Sequence, residues 1–475
     1  MNRDLITRTP LPLYDLPGPK SAEFRREAHA AIPGGAHTYS KGDDQFPQCS
    51  PAAIERGLGG RVWDLDGNEF VDCSMGLGSV SLGHAYEPVL EAVRSQLGRG
   101  SNFQRPADIE LDFAKKFIAA VPGAERVKFA KNGSTVTSAA VKLARAFTGR
   151  DLVAFPANHP FFSYDDWFIA GTPCRAGIPE AVRALSVTYH SERPDTLEQL
   201  YRGYPNQIAC VVTEPEDPFG CRPEILQETA HIARRNGSVF VLDEMVTGYR
   251  SGWPGSFVNL GVRPDLIAWG KAIGNGFSFC ALTGRADIMD LGGIRQSSRP
   301  RVFLISTTHG AEAHAVAAAR AVLREYQTRS VLEKLRTAVR TVAEGMRSAA
   351  RASRIQGILE IHATPWRVIT VCRDPAGSVS APFRSLLLQE MIRRGTLFQG
   401  AFLPCFSHTD DDLAHIIRAF EESCEIYRSA IEGGIEKFLI GPPVQPVFRK
   451  YNACETSCPA DPCPFEARCQ TVKII

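Results

Sequence analysis

The sequence predicts an α/β fold with a mostly parallel sheet, followed by a smaller α+β lobe, on three observations. Between about residues 125 and 285, short β-rich runs alternate with helical patterns, as in consecutive β–α–β units. Several of those runs are continuously apolar, as strands covered on both faces are. After about residue 330 the texture changes to long amphipathic patterns around two short strands. In the first region, strands are expected at 127–130, 152–155, 185–189, 208–213, 238–242, 266–269 and 279–283. Segment 223–235 starts with Pro223 and stops before Gly237, the asymmetry expected of a helix. In the second region, helices are expected over 331–353, 382–394 and 410–431, with strands near Ile358 and Val368. Leu413, Ile416, Ile417 and Phe420 fall at i, i+3, i+4 and i+7 behind Thr409, a suitable N-cap. Residues 1–20 are Pro-rich and read as an irregular arm, and 440–475 are Pro- and Cys-rich and read as an appendage. Four regions follow: 1–70, an arm and part of a small domain; 71–330, a large domain around a seven-stranded sheet; 331–436, the small α+β domain; and 437–475, an extension.

Composition narrows the function classes. Of 475 residues, 44% are hydrophobic and 22% charged, close to the globular average, which excludes wholesale disorder, collagen and coiled coil. Lys plus Arg is 54 and Asp plus Glu is 52, a net charge of +2, so no global field draws the chain to nucleic acid or an anionic membrane. No window offers the run of about 18 apolar residues that a spanning helix needs, and the first twenty residues lack the apolar core of a signal peptide. A soluble, cytoplasmic protein is expected. Nine of the thirteen cysteines are scattered from Cys49 to Cys424 and read as small buried hydrophobes, with no disulfide framework. Cys454, Cys458, Cys463 and Cys469 crowd the tail as C-x3-C-x4-C-x5-C. Four thiolates can hold zinc or an iron–sulfur cluster, yet the spacing matches neither zinc ribbons nor ferredoxin runs. A metal, disulfides and free thiols stay open for them.

Three strand ends carry the chemistry, where open α/β sheets gather their ligand-binding residues. VFVLDEMVTGYR ends an apolar strand on Asp243 and Glu244, and a buried acid is costly without a partner. PDLIAWGKAIGNGF ends another on Lys271, where desolvation would lower the amine's pKa and free it as a nucleophile. VKFAKNGSTVTSAAVKLARAFTG runs from a strand through Asn132-Gly133-Ser134-Thr135 into a helix, whose N-terminal amides suit a phosphate. An acid pair after a strand also occurs at Mg²⁺ sites, but no GxxxxGK[ST] cradle accompanies this one. Amine, buried acid and phosphate cradle together point to pyridoxal 5′-phosphate (PLP): the lysine forms the Schiff base, the acid keeps the pyridine nitrogen protonated, and the cradle holds the phosphate.

With those residues in view, the sequence resembles the class III (ω-type) aminotransferases, including the glutamate-1-semialdehyde aminomutases, over roughly residues 25–430. The resemblance is carried by IPGGAHTYSKG, GGRVWDLDGNEFVDCSMGLGSVSLGHAYEPV, VKFAKNGSTVTSAAVKLAR, VLDEMVTGYR, PDLIAWGKAIGNGF and STTHGAEAHAVAAA, in that order. It implies PLP fold type I, with residues 71–330 as the PLP-binding domain. It further implies Lys271 as the Schiff-base lysine, Asp243 as the acid on the pyridine nitrogen, and Met245 against one ring face. Gly133 and Ser134 match the phosphate-binding pair. Thr307 matches a phosphate-binding threonine lent by the neighbouring subunit, which implies a homodimer with shared active sites. Glu214, in VVTEPE, matches an acid on the O3′ side of the cofactor. Phe161, in HPFFSYDDW, falls where the family has a stacking aromatic, and Phe162 competes with it.

Departures bear on the reaction. Where the family has SGTE this chain has NGST, with Thr135 for the glutamate. The aminomutase glutamate near the C-terminus aligns with about Gly400, and its carboxylate-binding arginine with Lys41, which offers a point charge without the bidentate fork. An aminotransferase working between a small-molecule amino donor and a carbonyl acceptor, such as a sugar or a specialised metabolite, is therefore expected. Aminomutation and decarboxylation are alternatives on the same scaffold, and a non-catalytic PLP-fold protein is a distant one.

Overall fold

Apolar runs of the middle third assemble one large sheet, and the N- and C-terminal segments pack together beside it. The computed structural model describes residues 9–14, 16–158, 161–216, 219–220, 222–295 and 298–449. Near the N-terminus, β1 (Ile54–Leu58), β2 (Arg61–Asp64) and β3 (Glu69–Asp72) form an antiparallel meander. The large sheet contains β4 (Arg126–Ala130), β5 (Leu152–Pro156), β6 (Ser186–Tyr189), β7 (Ile208–Thr213), β8 (Val239–Asp243), β9 (Leu266–Trp269) and β10 (Cys280–Gly284). Their order is β4-β10-β9-β8-β7-β5-β6. Only β10 runs against its neighbours. Every residue of β5, β7, β8, β9 and β10 is buried, while the edge strands β4 and β6 keep exposed or half-buried positions. That is the sequence signature of doubly covered central strands. Alternate residues face opposite cores: Val211, Leu242 and Ile267 on one side, Val212, Val241 and Ala268 on the other.

A second, smaller sheet follows, with β11 (Leu359–Thr364), β12 (Arg367–Cys372) and β14 (Ala401–Phe402) antiparallel. The two-residue β13 (Thr396–Leu397) instead pairs parallel with β3 and draws the N-terminal meander onto the C-terminal half. Val71 and Cys73 accordingly share a core with Val342, Met346, Leu386 and Phe420. Helices Val331–Ala352, Ala381–Arg393 and Asp410–Gly433 lie within two residues of their expected bounds. Thr409 caps the last: Asp412 N–H donates to its hydroxyl, and the Asp412 carboxylate accepts from the Thr409 amide at 2.9 Å.

Two parts differ from the sequence reading. It named no strand before residue 127, because β1 is exposed along nearly its whole length and carries no apolar run. The appendage is docked in its described part, 440–449: Val444 is 4% exposed, Gln445 N–H donates to Asp44 O at 2.8 Å, and Arg449 pairs with Asp44 at 2.6 Å. The four tail cysteines, Cys454, Cys458, Cys463 and Cys469, lie outside the described residues. Of the scattered cysteines that are described, all are buried except Cys174, and none is in a disulfide. No helix among the described residues is long and apolar enough to cross a membrane.

Candidate active site

Neighbouring parallel strands deliver the two central residues. Asp243 ends β8 opposite Ala268 of β9, and β9 runs on through Trp269 and Gly270 to Lys271. There is no room for a side chain at position 270: an added Cβ would lie 2.4 Å from Met245 Sδ and 2.7 Å from Cys280 Sγ. Lys271 itself holds a left-handed φ of 48° and opens a short 3-10 turn to Gly274. A non-glycine residue in that conformation is strained, and such strain gathers at functional sites. Burial of the amine pushes the Lys271 pKa down, against the pull of Glu214 and Asp243, and with help from Arg250.

The acid pair divides its labour. Glu244 is fully occupied: Ser256 Oγ at 2.7 Å and Phe257 N–H at 2.9 Å donate to one carboxylate oxygen, and Thr247 Oγ1 donates to the other. Asp243 is 2% exposed and accepts Met245 N–H at 2.8 Å on Oδ1; among the described residues its Oδ2 has no bond. Burial, then the nearby Glu214 charge, pushes its pKa up to about 8. A buried carboxyl of this kind suits a protonated ring nitrogen as its partner. No cluster of three or more metal-ligating side chains occurs among the described residues.

The third element is the helix Gly133–Thr148 after β4. Asn132 caps it, accepting Thr135 N–H at 2.9 Å, and so leaves the Gly133 and Ser134 amides without an intramolecular partner among the described residues. At the positive end of a sixteen-residue helix, two such amides are an anion site. Gly133 also lets Met245 close in, since a Cβ there would stand 3.0 Å from its Sδ. Met245 thus bridges the N-terminus of this helix and the lysine turn. Ser134 Oγ accepts Tyr164 N–H at 3.0 Å, and Thr137 Oγ1 donates to Phe162 O at 2.9 Å, which seats the 161–165 loop on the same helix end. Phe162 is 2% exposed and packs edge-on against Phe155 and Phe168, whereas Phe161 is 47% exposed.

The remaining sequence-predicted residues are placed as follows. Glu214 directly follows β7, and both Asp243 and Lys271 feel its charge. Thr307 is exposed; its hydroxyl donates to His309 O at 2.8 Å, and among the described residues it makes no contact with the Gly133 amides. Lys41 is exposed at the end of a 3-10 turn and forms no ion pair among the described residues. Its turn touches the segment it was paired with: Gln399 Nε2 donates to Ser40 O at 2.8 Å, next to Gly400. Gly400 sits at φ 91°, with Arg384 filling the space a side chain would need. Gly270 and Arg250 escaped the sequence reading, although both lie inside motifs it quoted. The glycine before the lysine was the available signal.

The donor set, the glycine at 270 and the capped helix fit PLP, whose phosphate, ring and aldehyde are each matched. Sheet and site together define a class of protein, the PLP-dependent transferases of fold type I. The family is narrower: residues 39–159 and 175–363 match the model of aminotransferase class-III, and the chain belongs to that family. It is 28% identical over 438 residues to the glutamate-1-semialdehyde 2,1-aminomutase of Desulfotalea psychrophila, covering 86% of this chain and 99% of that one. Among solved structures, the PLP internal aldimine form of the Sphingopyxis sp. MTA144 FumI protein superposes with a TM-score of 0.79 at 23% identity, covering 88% of this chain and 98% of that chain. An omega-transaminase from Sphaerobacter thermophilus gives 0.78 at 23% identity, covering 87% and 98%.

Proposed function

We propose that the protein moves an amino group from a small-molecule donor to a separate ketone or aldehyde acceptor. The observation that carries this reading is the pairing of Lys271 and Asp243 at the ends of adjacent strands, one amine pushed toward its neutral form and one carboxyl pushed toward its protonated form. PLP, when bound, supplies an electron sink that acidifies the donor's Cα–H. Lys271 Nζ, freed by the incoming donor, takes that proton and returns it one position along, as a general base and then acid. Asp243 holds the proton at the ring nitrogen. The Gly133 and Ser134 amides hold the phosphate, Met245 supports one ring face, and Phe161, with its exposed ring, covers the other. Glu214 faces the ring's O3′ edge.

Lys41 meets a carboxylate or phosphate on the acceptor. The unit is a homodimer, in which the exposed Thr307 reaches the partner's phosphate, and its chain divides at residues 70, 330 and 436. Aminomutation is the second reading, favoured by the match to an aminomutase over nearly its whole length. A glycine at 400 and a lysine at 41 weigh against it. The first test is a half-reaction screen. Candidate amino compounds are added to the PLP-loaded protein without an acceptor. One keto product per site, with loss of the visible absorption, is expected from the true donor. Retention of the visible band with every amine tried would contradict the reading.

A further inference from the structure

Arg250 closes the VLDEMVTGYR run and is 2% exposed. Its Nη1 donates to Val246 O at 3.2 Å and its Nη2 to Gly78 O, while its Nε has no partner among the described residues. No carboxylate pairs with it among the described residues, and a buried charge without a counter-ion is costly. Besides Lys271, the titratable side chain facing it is Tyr326, whose hydroxyl burial pushes up to about 12, so that it stays neutral and offsets nothing.

Gly78 ends a run of four left-handed residues, Met75 (φ 44°), Gly76 (61°), Leu77 (57°) and Gly78 (74°). Two of them carry side chains that disfavour this conformation. Asp72 Oδ1 ties down the start through the amides of Ser74 and Met75, at 2.8 and 2.9 Å. Arg250 ties down the end. One residue further, Ser79 O accepts Gly276 N–H at 3.0 Å, and Asn275 Oδ1 accepts Leu82 N–H at 2.8 Å. Positions 275 and 276 directly follow the turn that Lys271 opens.

We propose that Arg250 is a positioning residue for Lys271: it clamps the left-handed 75–78 turn against the lysine's own turn and sets an unneutralised positive charge beside the lysine amine. This rests on Lys271 being the cofactor lysine. The charged groups facing Lys271 are Asp243, Glu214 and Arg250, with the Cys280 thiol kept neutral by burial. Glu214 and Asp243, where ionised, favour the protonated amine. The guanidinium opposes them, and burial adds to its effect.

The test is a pH titration of the visible absorption of the PLP-loaded protein, with three proteins compared. Arg250→Gln keeps a donor for Gly78 O and removes the charge. Its titration midpoint should rise by on the order of one pH unit, and the acid limb of kcat/KM should move with it. Arg250→Lys keeps the charge and loses the two-carbonyl grip. Its midpoint should stay at the wild-type value while amides 75–80 exchange faster. An unchanged midpoint in Arg250→Gln, or equal shifts in both variants, would overturn the proposal and leave Arg250 a packing residue. Lys271→Ala separates this from the underlying assignment: if that variant keeps the visible band, Lys271 itself is misassigned.

Discussion

Lys271 and Asp243 were legible because strand ends in a parallel sheet are where ligands bind, and because Lys and Asp are rare guests after apolar runs. Between Asp243 and Glu244 the choice came from the family resemblance, since the residues alone left it open. The saturation of Glu244 by Thr247, Ser256 and Phe257 supports Asp243 as the acid left for a cofactor. The same holds for Phe161 against Phe162, where burial separates two identical side chains. Asp243→Asn should leave PLP bound but slow turnover by on the order of a thousandfold, about 4 kcal/mol of barrier. Steady-state kinetics on the loaded variant checks this, and near-normal turnover would show that another acid serves the ring nitrogen. A second expectation concerns pH. The folded pKa of Asp243 lies above its ordinary value of 3.8, at about 8, so the folded cofactor-free protein binds the extra proton. The stability this contributes is full below about pH 4 and is lost as pH rises toward 8. Denaturant titrations of the cofactor-free protein should show stability falling across that window. The PLP-loaded protein, with a ring nitrogen to pair Asp243, should show a flatter profile.

Among the elements, the long helices of the C-terminal half were legible from their apolar period and from Thr409. The β1–β3 meander was not, because its strands are short and mostly half-buried or exposed, and its partner β13 is only two residues long. The docking of 440–449 was hidden for another reason: it rests on backbone hydrogen bonds and single side chains, which leave no periodic trace. Gln45 Nε2 donates to Gln445 O at 2.9 Å, Arg449 pairs with Asp44, and Cys174 Sγ donates to Arg449 O at 3.3 Å. These contacts grip residues 44–45, just beyond the Lys41 turn. Ending the chain after residue 440 should therefore speed hydrogen exchange at amides 43–48 several-fold while sparing the large sheet. The Arg449–Asp44 pair alone is partly exposed and should contribute no more than about 1 kcal/mol. Exchange rates at 43–48 equal to those of the full chain would show that the segment merely rests on the body.

For the whole molecule, the two halves are joined by a buried acid. Glu216, after β7, accepts from Ser251 Oγ of the large-sheet half and from Trp366 Nε1 of the β11–β12 hairpin at 2.7 Å. Quaternary structure is the level least visible in one chain; Thr307 stands exposed and bonds His309 O, which leaves it free for the role the proposed homodimer gives it. Mixing Lys271→Ala with Thr307→Ala subunits should restore activity, because one of the two sites in each hybrid dimer then combines an intact lysine with an intact threonine. Absence of rescue after verified subunit exchange would place Thr307 and Lys271 in the service of the same chain's site.

The central claim is intermolecular amino transfer, and ¹⁵N tests it most directly. The PLP-loaded protein is given a ¹⁵N-labelled donor identified in the half-reaction screen together with a carbonyl acceptor, and the products are weighed by mass spectrometry. The account predicts ¹⁵N in the aminated acceptor and one unlabelled keto product for every amine formed. Label retained in an isomer of the donor, or carbon dioxide released in step with turnover, would contradict it.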